Sequence, residues 1–196
     1  MTSEAWLRAL EDSGALLRGH FRLSSGLHSP AYVQCALLLA DPRRARAAGE
    51  ALADEIGRAG IEIDSVMSPA LGGVIIGHEV AAALGVPFRF VERQGDGLVL
   101  RRGFSLAAGE RVVVVEDVVT TGKSTLETVK VAEAAGARAV AVGSILDRSG
   151  GRHGFPVPYL ALAALELPTW PPESCPLCAG GSEAIKPGSR PVAASA

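Results

Sequence analysis

The sequence predicts an α/β fold: a doubly wound, mainly parallel five-stranded sheet with helices on both faces. Three observations carry this. From residue 63 onward, short apolar segments of strand length alternate with segments whose apolar residues recur at helical spacing. The segment Arg111–Glu116 carries four consecutive β-branched residues, Val112–Val115, the pattern of a central parallel strand buried on both faces. The connections between these segments are short and rich in glycine and proline, as close strand–helix packing requires.

Each element has its own local reason. Ser3 stands where an N-cap would precede a first helix carrying Trp6, Leu7 and Leu10 on one face. Residues 19–29 form a turn-rich polar stretch, followed by a short strand near Ala31–Cys35. Asp41-Pro42 combines an N-cap with a proline at the first helical position, and Ala45, Ala48, Leu52 and Ile56 keep helical spacing to a stop at Gly60. Ile63–Ser68 reads as a strand, Pro69–Gly73 as a tight loop and Val74–Leu84 as a helix. Pro87–Glu92 reads as a strand and Leu98–Arg101 as a short extended piece. After Arg111–Glu116, Ser124 and Glu127 have capping-box spacing in a helix over Lys123–Ala135. Arg138–Leu146 is a second buried strand and Tyr159–Leu165 a last apolar run. Right-handed crossovers would then gather the loops after Ser68, Glu116 and Leu146 at the carboxyl edge, where such sheets bind ligands.

The whole chain, 1–196, is expected to form a single domain, with 1–40 and 155–186 contributing a small hood and 187–196 a disordered tail. A net charge of −2 argues against a nucleic-acid or membrane-surface partner, both of which favour a basic balance. No apolar run reaches the ~20 residues of a membrane span, and the amphipathic start does not resemble a secretion signal. Cys35, Cys175 and Cys178 are too few and odd in number for a disulfide framework, so a cytoplasmic setting is expected. Cys175 and Cys178 have the spacing of half a zinc site, but no further ligands lie nearby in sequence. His20, His28, His78 and His153 are scattered without metal-ligand spacing. Reduced, unliganded cysteines are therefore the expectation, with two half-sites paired across a homodimer as the alternative.

The informative segment runs from Val112 to Thr125. A buried strand ends in two carboxylates, Glu116 and Asp117; Val118 and Val119 follow, then the loop Thr120-Thr121-Gly122 opening a helix at Lys123, Ser124 and Thr125. Loop amides, hydroxyls and the positive helix end can hold a phosphate. The carboxylates can accept hydrogen bonds from a sugar diol or face a hydrated magnesium ion. A nucleotide P-loop is excluded because Asp117 stands where that motif needs glycine.

This segment resembles the signature of the type I phosphoribosyltransferases, which bind 5-phosphoribosyl 1-diphosphate (PRPP). The resemblance implies that Glu116 and Asp117 contact the ribose hydroxyls and that Thr120–Thr125 hold the 5-phosphate. Val157-Pro158-Tyr159, Leu167-Pro168-Thr169, Cys175-Pro176-Leu177-Cys178 and Lys186-Pro187-Gly188-Ser189-Arg190 resemble a bacterial branch, the Thermus type, of the orotate phosphoribosyltransferases, and further stretches resemble that family. Phe21–Ser29 with Tyr32 is similar to the segment that family lays over the base, with Ser24 where lysine is common, and implies base contacts from Ser25, Gly26 and His28. Asp147-Arg148 is similar to a strand-end pair whose arginine binds the orotate carboxylate, beside Thr120. A planar guanidinium suits that task. Ala70-Leu71-Gly72-Gly73 is similar to the diphosphate loop, without its usual lysine. Arg93, Arg101 and Arg102 stand in for the basic mobile loop that reaches over the diphosphate, often in the neighbouring subunit.

The resemblance thus implies transfer of ribose 5-phosphate from PRPP to orotate, with Mg2+ held mainly by PRPP, in a cytoplasmic homodimer with shared sites. Arg93, Arg101, Arg102 and Asp117 would be catalytic. Activity on another base, or a non-catalytic PRPP-sensing role, are the rival expectations. Arg148 argues against the first, and the slight negative charge against a nucleic-acid-binding form of the second.

Overall fold

A computed structural model describes residues 1–23 and 25–187. The expectations for Ser24 and for the tail beyond Pro187 lie outside the described residues.

The described residues form two sheets. The first is a hairpin of β1 (Leu16–Arg22) and β2 (His28–Val33). The second has six strands in the order β5-β4-β3-β6-β7-β8. Here β3 is Ser65–Pro69, β4 Phe88–Gln94, β5 Gly97–Leu100, β6 Arg111–Val119, β7 Arg138–Asp147 and β8 Tyr159–Ala164. Five of these run parallel, and the sixth, β5, turns back antiparallel on β4 at the edge. The short extended piece near Leu98 is this added strand. The helices are α1 (Ser3–Asp12), α2 (Ala36–Leu39), α3 (Pro42–Arg58), α4 (Gly72–Leu84), α5 (Lys123–Ala134) and α6 (Pro176–Ala179).

The central strand explains the layers. Along β6, Val113 and Val115 point into a core shared with Leu52 and Ile56 of α3 and Ile76 and Val80 of α4. Val112 and Val114 point the other way, toward Ala132 and Val129 of α5. A strand covered on both faces loses its water everywhere, which is why its sequence is continuous valine. Helices α3 and α4 pack closely because Gly49 has no side chain: a Cβ there would lie 2.6 Å from Glu79.

Several local expectations change. The first helix is capped by Thr2, whose hydroxyl accepts from the Ala5 amide, and not by Ser3. Asp41 caps α3 as expected, accepting from the Arg43 amide. Residues 19–22 of the expected turn-rich stretch belong instead to the second half of strand β1, Leu16–Arg22. Ser124 and Glu127 form no capping box. The N-cap of α5 is Gly122 in the left-handed region (φ 74°), with no side-chain cap. Strand β6 runs on through Val119, so the two acids lie within the strand's end, not after it.

Candidate active site

Because β3, β6 and β7 are parallel, their carboxyl ends share one edge of the sheet. The segments leaving them are Ala70–Gly73, Thr120–Gly122 and Arg148–Gly151. The pairing of Val119 with Asp147, continued by the Arg148 amide donating to the Val119 carbonyl at 2.8 Å, sets Arg148 beside Thr120.

Glu116 is buried, and its Oε2 accepts a hydrogen bond from Ser124 Oγ at 3.0 Å. Burial, then the neighbouring Asp117 charge, lift its carboxyl to about 8. Asp117 is also raised, chiefly by burial, although its Oδ1 accepts from the Val118 amide at 2.8 Å. Two carboxyls this close in a dry site do not both ionise readily, so a proton stays with the pair near neutral pH. Such a pair is suited to a diol or a cation-bearing ligand, which lets both ionise.

Gly72 and Gly73 lie against these acids. A Cβ on Gly72 would sit 2.7 Å from Asp117 Oδ1; one on Gly73 would sit 2.8 Å from the Val115 carbonyl oxygen and 3.1 Å from Glu116 Oε1. The two glycines therefore serve the approach of the loop to the acidic pair. In the same loop Leu71 is fully out in solvent at 87% exposure.

The loop after β6 lines a cavity with Arg93, Gly95 and Asp96 from the β4–β5 hairpin. Thr120–Thr125 all line it. The uncapped first turn of α5 leaves amides free for an anion. Gly122 is required there twice over. Its φ is positive, and a Cβ would meet the Phe155 ring at 2.8 Å. Lys123 is exposed, with its ammonium 4.0 Å from Glu127, so it stands at the rim. Thr125 is buried and its hydroxyl has no hydrogen-bond partner among the described residues. Arg93 pairs with Glu127 at 3.0 Å.

A second cavity of about 740 Å3 shares Val118, Thr120 and Thr121 with the first. Asp117 also lines it. Leu23, Ser25, Leu27 and Tyr32 come from the β1–β2 hairpin, and Leu167 and Thr169 close it from the C-terminal segment. Arg148 reaches into this cavity. Burial lowers its pKa from the usual guanidinium value, and its Nε is buried with no hydrogen-bond partner. A desolvated cation with an unused donor, in a cavity large enough for a ring, is an incomplete ion pair.

Four expected site residues, His28, Arg101, Arg102 and Gly26, are placed outside both cavity walls. His28 is not in the wall of either cavity. Its buried ring faces His20, with Nδ1 2.9 Å from His20 Nε2, and Cys178 Sγ at 3.3 Å. Arg101 and Arg102 are also outside both walls. Arg102 makes two hydrogen bonds to the Glu92 carboxylate at 2.9 and 2.7 Å and stacks over Phe90. Gly26 sits exposed at the hairpin tip with φ 84°. Sequence reasoning missed Arg152, which joins Arg148 in the wall and lies four residues beyond it.

A parallel sheet with a diacid strand end, an anion loop and an adjoining ring-sized cavity defines a phosphoribosyltransferase. The phosphoribosyl transferase domain model matches residues 36–153, more than half of the chain. Whole-chain relatives narrow this class. The orotate phosphoribosyltransferase of Carboxydothermus hydrogenoformans is 49% identical over 90% of this chain and 92% of its own length. That of Rhizorhabdus wittichii is 47% identical over 100% of both. The crystal structure of orotate phosphoribosyltransferase from Aeropyrum pernix matches with a TM-score of 0.69 and 29% identity, covering 81% of this chain and 92% of that one. The chain belongs to the orotate phosphoribosyltransferase family.

Proposed function

We propose that this chain transfers ribose 5-phosphate from PRPP to orotate, giving orotidine 5-phosphate and diphosphate. Glu116 and Asp117 bind the ribose hydroxyls. Thr120–Thr125 hold the 5-phosphate on amides, hydroxyls and the α5 N-terminus. Ala70–Gly73 meets the diphosphate, and Arg93, Arg101 and Arg102 add positive charge over it. Magnesium, when bound with PRPP, neutralises the diphosphate; the acidic pair, dry and carrying a proton, fits a ligand that brings positive charge.

The orotate carboxylate pairs with Arg148, beside Thr120 and Ser25. This holds the ring nitrogen over the anomeric carbon. Bond formation and diphosphate departure pass through an oxocarbenium-like state, so the chain contributes positioning and charge without a covalent nucleophile. The whole chain works as one domain, with residues 1–40 and 155–186 covering the base and excluding water. The enzyme works in the cytoplasm as a homodimer. Unpaired cysteines and exposed Leu37, Leu71 and Ile75 support these two points. No helix among the described residues is long and apolar enough to cross a membrane.

The observation that carries the choice of base is the half-buried Arg148 guanidinium, unpartnered at Nε, in the wall of the cavity that adjoins the anion loop at Thr120 and Thr121. The test follows orotate loss by ultraviolet absorbance with PRPP and magnesium, beside uracil, adenine, guanine and hypoxanthine. Magnesium-dependent loss of orotate alone is expected. Turnover of a neutral base in its place would overturn the role of Arg148.

A further inference from the structure

We propose that the protein holds one structural zinc ion on His20, His28, Cys175 and Cys178, a clip that ties the N-terminal hairpin to the C-terminal segment. The four ligand atoms all lie within 4.8 Å of one another. His20 Nε2 is 2.9 Å from His28 Nδ1, 3.4 Å from Cys175 Sγ and 3.8 Å from Cys178 Sγ. Cys178 Sγ is 3.3 Å from His28 Nδ1. Bonds of about 2.0 Å to nitrogen and 2.3 Å to sulfur in a tetrahedron require ligand–ligand edges of about 3.3–3.8 Å. The four named separations, from 2.9 to 3.8 Å, bracket those edges, and no pair exceeds 4.8 Å, so shifts of about an ångström or less close the tetrahedron.

The ring orientations agree. His20 Nδ1 lies 3.0 Å from the Ser182 carbonyl, so it carries the proton and donates there, and the Nε2 lone pair faces the cluster. A second ring nitrogen and two sulfurs converge on the same point. Soft thiolates with imidazoles, and no oxygen ligand, select zinc over magnesium or calcium. Four protein ligands complete the shell, which makes the site structural and not catalytic. Binding displaces one proton from each thiol; two thiolates and one dication leave the site neutral, as suits three buried ligands and one at the surface.

The backbone holds the two halves in register before any ion arrives. His28 and Trp170 exchange amide–carbonyl hydrogen bonds at 2.8 and 3.0 Å, the Arg22 amide donates to Ile185, and the Ile185 amide donates to His20. Both joined segments also wall the larger cavity, through Leu23, Ser25 and Leu27 on one side and Thr169 on the other. The ion would fix the cover of that cavity whatever base it takes.

The experiment measures metal content by plasma mass spectrometry after purification under reducing conditions, and repeats the loading with cobalt(II). About one zinc per chain is expected, with the visible ligand-field and thiolate charge-transfer bands of tetrahedral cobalt. Cys178→Ser alters the one ligand near the surface, so it tests the site without burdening the core; it should lower zinc affinity at least about tenfold. Cys35→Ser should leave it unchanged. Circular dichroism confirms that each variant is folded; if Cys178→Ser does not fold, the cobalt spectrum of the wild type decides alone. A wild type that takes up no stoichiometric zinc, cobalt bands without thiolate character, a Cys175–Cys178 disulfide in the reduced preparation, or a folded Cys178→Ser variant with undiminished zinc affinity would each overturn the proposal.

Discussion

Asp117 leaves no room for a side chain on Gly72: a Cβ would stand 2.7 Å from its Oδ1, the oxygen that also accepts from the Val118 amide. The aspartate cannot swing away without losing that bond. Gly72→Ala is therefore expected to reduce kcat/KM for PRPP by about tenfold or more, or ~1.4 kcal/mol. Because Gly72 is exposed, the melting temperature should scarcely move. Steady-state kinetics beside a thermal melt checks this, and wild-type kinetics would show that the approach of loop to acid is unimportant.

Arg148 sets function against stability. It is partly buried and its Nε is unsatisfied, so the free protein bears the cost of holding it. Arg148→Met keeps much of the volume and removes the desolvated charge. Orotate kcat/KM should fall about 10- to 100-fold, the range for a charged hydrogen-bonded pair. The urea midpoint should hold or rise. A large loss of stability would mean that Arg148 is a structural residue.

Glu116 makes stability depend on pH with a definite sign. Its carboxyl titrates at about 8 in the folded chain, against an ordinary value of 4.5. Between these values the native state holds a proton that the unfolded state releases. Its contribution to stability is therefore greatest below about pH 4.5 and is lost as pH rises toward 8. Glu116→Gln removes this dependence. Relative to wild type, that variant should gain on the order of 1–2 kcal/mol between about pH 5 and pH 8. Urea unfolding at several pH values reads the difference, and a parallel pair of curves would rule it out.

Gly49 tests the scaffold. Alanine favours a helix over glycine by about 1 kcal/mol, yet a Cβ here would lie 2.6 Å from Glu79 carbons, including the backbone of α4. Overpacking against backbone outweighs propensity. Gly49→Ala should destabilise the fold by about 1–3 kcal/mol in urea unfolding, while a stabilised variant would show that α3 and α4 separate easily.

What was legible in the sequence follows from range. The run Val112–Val115, the acids Glu116 and Asp117 and the loop to Thr125 lie within one strand–turn–helix, so local pattern placed them. Strand β1 was hidden because three consecutive positions, Leu17, Arg18 and Gly19, are exposed, so no alternation marks it as a strand. Val118 and Val119 extend β6 because β7 continues alongside them, which no local signal announces. His20 and Cys175 meet across 155 residues. Their proximity is set by the Ile185 and Trp170 backbone bonds, not by spacing. Arg152 joins Arg148 only because the chain folds back through Gly150 and Gly151, both at positive φ.

Arg101 and Arg102 give the last prediction. They lie beyond β5, outside both cavity walls of their own chain, and Arg102 is engaged by Glu92. If they serve the neighbouring subunit's diphosphate, their loss should lower kcat far more than it raises KM for orotate. It should also be complemented in trans. An Arg101→Ala/Arg102→Ala double variant and an Asp117→Asn variant, each nearly inactive, should regain activity when dimers are exchanged, because half of the dimers then carry one site with both parts intact. Random exchange sets the ceiling at about a quarter of wild-type activity, as expected for a two-fold assembly. Activity that stays at the level of the separate variants would place the two arginines in cis, and unchanged turnover in the double variant would remove them from catalysis. Glu92→Gln sharpens the test: it releases Arg102 from a bond made in the free protein, so turnover should rise or hold if the arginine must leave Glu92 to act, and fall if the pair acts as a unit.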